Sequence, residues 1–268
     1  MVEANGGGLL GRLLKGKRVA VLNRNGGNWA DQVVIPARQA VPLSSLLPLE
    51  QAAMFFVNPA AAWVMTRHVL KVPRGAWLLQ TAAASALGRM VVRLGQHYGF
   101  RTCNVVRREE SVAALESIGA DGIIVFDPAI HDMDRFAEHV RSMVGSDGVR
   151  YAIDPVGGRT ASAVVGCLGI GATMLVFGTL DTSPLLFSSR QLMTSNASVR
   201  GFWLSHHMEQ LSLPGRLRLI RTINRLMLRG ILVSETGAAW PLDQVQAAVK
   251  AAETPGRTGK VLLRMTDA

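Results

Sequence analysis

The residues best suited to chemistry lie between Trp77 and Arg108, where a cluster of small residues is followed by two arginines. This segment, WLLQTAAASALGRMVVRLGQHYGFRTCNVVRR, has an apolar run, the small residues, a helical pattern and a second apolar run. That order is typical of a nucleotide-binding βαβ unit, in which backbone amides at a helix N-terminus bind a pyrophosphate. We therefore predict a dinucleotide site here.

The turn in this segment departs from the G-x-G-x-x-G pattern. With Gly88 in the third position, Ala83 and Ser85 occupy the first two. Each Cβ limits how closely the backbone approaches a phosphate, although the Ser85 hydroxyl can donate to a phosphate oxygen. An ordinary strand-to-helix turn remains the alternative. The context favours the nucleotide site, because 86–98 has helical apolar spacing and 102–106 reads as a buried strand.

Arg107 and Arg108 follow the second apolar run directly. An acidic residue at this position binds the ribose hydroxyls of NAD, whereas cationic donors accommodate the 2′-phosphate of NADP. A solvated arginine pair is the alternative. The position within the βαβ unit favours NADPH as the cofactor.

Composition limits the classes of partner. The net charge of +10 fits either nucleic acid or an anionic substrate and cofactor. Because aromatic residues form only 6% of the chain and no zinc-finger or RNA-binding motif is present, we rank phosphorylated small molecules or an acidic carrier above nucleic acid. No apolar run is long enough for a bilayer span and no signal-peptide layout is seen, so we expect a soluble cytoplasmic protein.

Strand-like and helical segments alternate from Trp77 onward, which predicts an α/β fold with a doubly wound parallel sheet. Its ligand should lie at the carboxyl ends of the strands, near Ala83, Arg107, Asp154 and Gly178. The segment before residue 48 reads as β structure, with strands at 17–22 and 29–36 joined by a glycine-rich turn, and is too short to fold by itself.

The segment Pro214–Arg229 predicts an amphipathic helix with arginines along one face, at 218, 221, 225 and 229. Such a face is often simply solvated. The alternative is a docking surface for an acidic helix of a carrier protein.

Motifs along nearly the whole chain resemble those of the zinc-independent medium-chain dehydrogenase/reductase superfamily, and within it the mitochondrial-type 2-enoyl thioester reductases. The more specific motifs are VNP, NVVR and RGFWLS, and the more general ones include LLQTAAASALG, DPVGG, TMLVFGTL and PGRTGKVLL. The resemblance implies a Rossmann domain, 68–232, inserted into a GroES-like β substrate domain formed by 1–67 and 233–268. It also implies a homodimer paired through an edge strand near 199–204.

The resemblance further implies roles for individual residues. Asn58 would lie in the active site near the nicotinamide, and Trp203 would be catalytic. Arg107 and Arg108 would bind the 2′-phosphate, and Lys260 would reach the cofactor. The pyrophosphate would be covered by Ala84, Ser85, Ala86, Leu87 and Gly88, and the nicotinamide and acyl pocket would be lined by Phe177, Gly178, Thr179, Leu180, Phe202, Trp203 and Leu204. Phe202, Trp203 and Lys260 could instead have purely structural or solvated roles.

The implied reaction is NADPH-dependent reduction of the C=C bond of an acyl thioester carried by coenzyme A or by an acyl carrier protein. The resemblance also implies that an N-terminal part of the substrate domain, with the proton-donating tyrosine, is absent, and that no zinc ligands are present. The tyrosines of this chain, Tyr98 and Tyr151, fall in the dinucleotide domain. A quinone or enone reductase, and a non-catalytic protein that binds NADPH or, through its basic surface, RNA, therefore remain alternatives.

Overall fold

A computed structural model describes residues 1–21, 23, 26–254, 256–257 and 259–265. The chain forms two compact units: the first combines Met1–Asn58 with Leu213–Ala268, and the second is Pro59–Ser212. The boundaries expected from the motifs, after 67 and after 232, lie further along the chain. The assignment of the discontinuous unit to a substrate domain stays a prediction.

The first segment of the discontinuous unit has little regular structure. It contains α1 (Gly8–Leu14), β1 (Val19–Val21), β2 (Ala40–Pro42), α2 (Leu49–Ala53) and the start of α3 (Val57–Trp63), with a 3₁₀ turn at Ala37–Gln39. β1 and β2 pair antiparallel. Leu22, Arg24 and Asn25, from the predicted strand and turn, lie outside the described residues.

The strand predicted at 29–36 is wrong, because those residues have no regular secondary structure. Val34 is fully exposed and Trp29 is 64% exposed. A strand forms only where a neighbouring strand accepts and donates its backbone hydrogen bonds, and no such neighbour is paired with this segment among the described residues.

The second unit alternates strands and helices, as predicted. After α3 comes a π-helix, Val64–Val69. The later elements, in chain order, are β3 (Trp77–Gln80), α4 (Ala86–Tyr98), β4 (Arg101–Val106), α5 (Val112–Glu116), β5 (Gly122–Val125), α6 (Met133–Val144), β6 (Val149–Asp154), α7 (Gly158–Val165), β7 (Leu168–Val176), α8 (Ser189–Ser195), β8 (Ser198–Gly201) and α9 (Leu204–Gln210).

Six of these strands form one parallel sheet in the order β5-β4-β3-β6-β7-β8. The chain moves outward from β3 to β5, returns to β6 beside β3 and continues to β8. The strand order thus reverses between β3 and β6, and doubly wound sheets bind ligands at the carboxyl ends of the two strands at such a point. This sheet confirms the predicted fold class.

Apolar side chains cover both faces of this sheet, since neighbouring strand residues point to opposite sides. Val105 packs in a cluster with residues of α6 and α7, while Val106 packs in another with residues of α4 and α5. The continuous apolar runs recognised in the sequence are those of strands buried on both sides.

The return segment contains α10 (Leu213–Leu228), β9 (Thr236–Pro241), α11 (Val245–Glu253) and β10 (Lys260–Arg264), and β9 pairs parallel with β10. The amide of Gln51 exchanges two hydrogen bonds with the backbone of Ser234, of 2.8 and 3.2 Å. These bonds tie the two segments of the discontinuous unit together. In the part of the chain that the structure describes, no helix combines the length and apolar character needed to cross a bilayer.

Candidate functional site

The turn between β3 and α4 leads into a capped helix N-terminus. Ser85 is the N-cap of α4, and its hydroxyl oxygen accepts a hydrogen bond of 3.1 Å from the Gly88 amide. The hydroxyl proton stays available to a ligand, and the free amides of the first turn carry the positive end of the helix dipole. Ser85 is exposed, whereas Leu87 and Gly88 are buried.

Gly88 allows the close packing of α4 on the turn. A Cβ at this position would overlap the backbone carbonyl and Cα of Ala83. This is the role of the third glycine of the fingerprint. The turn also contains a residue in a conformation that favours glycine. Ala82 has a φ of 48°, which glycine adopts at lower cost.

A buried polar network, which the sequence analysis missed, holds this turn. The Gln80 amide nitrogen donates to the Gly88 carbonyl at 3.0 Å and to Asn104 Oδ1 at 2.7 Å. Asn104 Nδ2 donates in turn to Thr102 and to the Gly122 carbonyl at 2.9 Å. The network joins β3, α4, β4 and β5. The signal in the sequence for this network was one polar residue in each apolar run, Gln80 in the first and Asn104 in the second.

Arg107 and Arg108 begin directly after β4, at the carboxyl edge of the sheet, and both are exposed. Among the residues that the structure describes, neither guanidinium has a hydrogen-bond or ion-pair partner. Each arginine therefore retains its five N–H donors for an anionic ligand.

A cavity of about 500 Å³ lies at the carboxyl ends of β7 and β8. Five residues predicted for the nicotinamide pocket line it: Phe177, Gly178, Thr179, Phe202 and Trp203. The Phe177 amide donates to Asp154 at 2.9 Å and the Phe202 amide to Val176 at 2.8 Å, so both residues extend the sheet ladder. Leu180 and Leu204 do not line this cavity; Leu180 is 77% exposed, and Leu204 begins α9 where the sequence had predicted strand.

His207 lines the same cavity and was not singled out from the sequence. Its ring meets the ring of His68 edge-on at 4.9 Å, and the π-helix carries His68. Burial, with a smaller effect from His68, lowers the pKa of His207. Its Nε2 atom is buried and has no hydrogen-bond partner among the described residues. The His206–His207 pair, which directly follows the RGFWLS motif, was the signal in the sequence.

Asp154 is the last residue of β6, the strand that pairs with β3. Its buried carboxylate accepts hydrogen bonds from the Thr81 hydroxyl and from the Gly157 amide, the latter of 2.7 Å. Burial raises the pKa of this carboxyl group, and hydrogen bonds from Thr81, from the Gly157 amide and from the Val156 amide oppose the shift. Asp154 therefore joins the turn after β3 to the turn after β6.

Two predicted site residues belong to the discontinuous unit. Asn58 is the second residue of α3 and is half-buried. Lys260 begins β10, and its backbone amide donates to Glu235 at 2.9 Å.

Tyr98 lies in the second unit, where its hydroxyl accepts a hydrogen bond of 3.1 Å from the Trp63 indole and its ring packs under the Arg67 guanidinium at 4.4 Å.

The described residues include no cluster of three or more His, Cys, Asp or Glu side chains that could hold a metal ion. Cys103 and Cys167 are buried, and burial raises the pKa of each thiol to about 12. Both are therefore protonated at neutral pH and are unreactive as nucleophiles.

Comparison with known proteins gives consistent matches. The family model described as zinc-binding dehydrogenase matches residues 86–220, half of the chain. The mitochondrial enoyl-[acyl-carrier-protein] reductase of Schizosaccharomyces pombe is 29% identical over 78% of this chain and 57% of its own length. The human protein of the same name is 29% identical over 94% of this chain and 68% of its own length.

A solved structure from Mesorhizobium loti, provisionally designated an NADPH:quinone reductase, superposes with a TM-score of 0.83. It is 29% identical, and the match covers 98% of this chain and 74% of that one. The chain thus spans between about half and three quarters of the length of the relatives it resembles.

Proposed function

Because the chain belongs to the zinc-binding dehydrogenase family of the medium-chain dehydrogenase/reductase superfamily, we propose that it uses NADPH to reduce the C=C bond of 2-enoyl thioesters. The observation that carries the cofactor choice is the unpaired, exposed pair Arg107 and Arg108 at the end of β4. The names of the fission yeast and human relatives support the substrate class.

The residues of the second unit fit a dinucleotide. The N-terminal turn of α4, from Ala84 to Gly88, offers backbone amides and the Ser85 hydroxyl to the pyrophosphate. Arg107 and Arg108 offer paired N–H donors to the 2′-phosphate. The cavity at Phe177–Thr179 and Phe202–Trp203 supplies an apolar wall and backbone groups for the nicotinamide. Lys260, in the discontinuous unit, stays a predicted cofactor-binding residue.

The reaction is a conjugate reduction. NADPH, when bound, supplies a hydride to the β-carbon of the thioester. The chain must then stabilise the negative charge that develops on the thioester oxygen, and it must allow a proton to reach the α-carbon. We assign the Trp203 indole N–H to hydrogen bonding at this oxygen, and Asn58, in the discontinuous unit, stays a predicted active-site residue. Phe202 and Trp203 also exclude water from the bound ring.

The assignment is tested by titrating the protein with NADPH and with NADH and following the fluorescence of the reduced nicotinamide. We expect NADPH to bind more tightly, and R107A/R108A to weaken NADPH binding by roughly 100-fold, because each lost charge-assisted contact costs about a factor of ten. NADH binding should change little.

The matched control is R135A, which removes an exposed arginine of α6. It should leave both affinities unchanged. Equal affinity of the unaltered protein for the two coenzymes would remove the argument for NADPH.

A quinone or enone reductase is the second candidate, and the M. loti structure supports it. Comparing turnover of a crotonyl thioester with that of a small quinone separates the two activities. NADPH binding without turnover of either would support a non-catalytic role. We also propose a homodimer in which β8, at the edge of the sheet, pairs with its copy.

A further inference from the structure

Three exposed residues of α10 and the residue directly after its end, whose amide still donates to the Arg225 carbonyl, form an arginine row, which we define as Arg218, Arg221, Arg225 and Arg229. At 3.6 residues per turn these side chains fall within about 80° of the helix circumference. All four are exposed. The opposite face is buried through Leu219, Ile223, Leu226 and Met227, so packing fixes the direction in which the row points.

The four guanidinium groups have no hydrogen-bond or ion-pair partner among the residues that the structure describes. Neighbours in the row are three or four positions apart, a spacing at which like charges destabilise a helix by about 0.2–0.5 kcal/mol per pair. The row therefore weakens the isolated helix. An anionic partner lying along the helix would neutralise this repulsion and stabilise the helix instead.

A leucine row, consisting of Leu213, Leu217 and Leu228, flanks the arginines on the same helix. Leu213 is 69% exposed, Leu217 43% and Leu228 46%. A partner that covers both rows must present apolar as well as acidic side chains. A surface that is only anionic, such as a nucleic-acid backbone, would leave the leucines in water.

We propose that the arginine and leucine rows bind an acidic, amphipathic helix of an acyl carrier protein that delivers the thioester substrate. This inference rests on the proposed function. From Arg218 to Arg229 the row is about 16 Å long, at 1.5 Å per residue, which matches one helix of roughly eleven residues lying alongside α10. The charge of +10 on the chain adds long-range attraction for such a partner.

The test compares two thioesters of the same 2-enoyl group, one on an acyl carrier protein and one on pantetheine, which carries no charge. In R218Q/R221Q/R225Q we expect kcat/KM for the carrier thioester to fall by roughly tenfold at low salt, through KM, and to approach that of the unaltered protein at high salt. With the pantetheine thioester we expect a change of less than about twofold, because that substrate makes no use of the row.

The matched control, R135Q/R190Q/K250Q, removes three exposed cations from α6, α8 and α11. It should lower kcat/KM for the carrier thioester by less than about twofold, because its charges lie outside the row. L217Q should weaken the carrier complex a few-fold while keeping every charge. Circular dichroism melts of all variants report whether α10 still folds.

Direct titration of labelled acyl carrier protein gives a second readout that needs no turnover. Failure to reduce the pantetheine thioester would contradict the proposed function but not the surface. A Kd for the carrier that is unchanged in R218Q/R221Q/R225Q, or no carrier binding at all, would overturn the surface. Loss in this variant of binding to phosphatidylglycerol vesicles or duplex DNA, with carrier binding intact, would also overturn it.

Discussion

At the scale of single residues, the buried Asp154 side chain joins two turns at the carboxyl edge of the sheet. It accepts from Thr81 in one turn and from Gly157 in another. Burial alone disfavours the charged form of Asp154, so the buried carboxylate is stable only because these groups donate hydrogen bonds to it. The carboxylate thus stabilises the fold by joining two turns.

We expect D154A to lower the free energy of unfolding by about 3 kcal/mol, because it leaves the Gly157 amide and the Thr81 hydroxyl without an acceptor. D154N should cost less than about 1.5 kcal/mol, since its carbonyl oxygen can still accept from Gly157 and its amide can donate to Thr81. Denaturant unfolding of the two variants measures the difference. Equal losses would mean that volume, and not hydrogen bonding, accounts for the effect.

At the scale of elements, α4 is positioned by three kinds of interaction. Ser85 caps its first turn, Gly88 lets it approach the chain at Ala83, and Gln80 holds the Gly88 carbonyl from β3. The apolar spacing of the sequence predicted the helix, but its position against β3 depends on these short-range contacts. The amides of its first turn therefore point in a direction set by β3 and β4.

We expect G88A to destabilise the protein by about 2–3 kcal/mol and to weaken NADPH binding, because the new methyl group must displace backbone and not a flexible side chain. The matched control is G166A, at the C-cap of α7. There φ is −63° and a new Cβ would meet only the Ala163 carbonyl oxygen, at 3.2 Å. A shift of a few tenths of an ångström relieves that contact, so the change should cost less than about 1 kcal/mol. Thermal melts and NADPH titration measure both. A G88A variant with normal stability and affinity would contradict the packing role.

At the scale of the whole second unit, the strand order brings distant segments to one edge. The turn after β3, Arg107 after β4 and Asp154 at the end of β6 follow adjacent strands. Phe177 and Phe202 extend β7 and β8 at the same edge. The residues proposed to bind the cofactor in this unit therefore share one side of the sheet, although about 120 positions separate the first from the last in the chain.

Because these segments share one edge, bound NADPH should protect them together. At saturating NADPH we expect amide hydrogen exchange to slow by more than about tenfold at 81–89, 106–109 and 176–179, since ligand binding lowers the population of locally opened states. NADH at the same concentration should protect less at 106–109. Protection confined to other parts of the second unit would contradict the proposed cofactor site.

The sequence by itself determined the α/β class, the order of strands and helices from β3 to β8 and the turn at 81–88, because burial patterns and turn residues are local properties. It also located Arg107 and Arg108, since they directly follow a buried strand. Only the tertiary structure decided that Gln80 bonds to Asn104, that Asp154 joins two turns and that His207 lines the cavity. These contacts join residues far apart in the chain, and no local pattern encodes which partner each one meets. The predicted strand at 29–36 failed for the same reason, because a strand depends on a neighbour that its own residues do not specify.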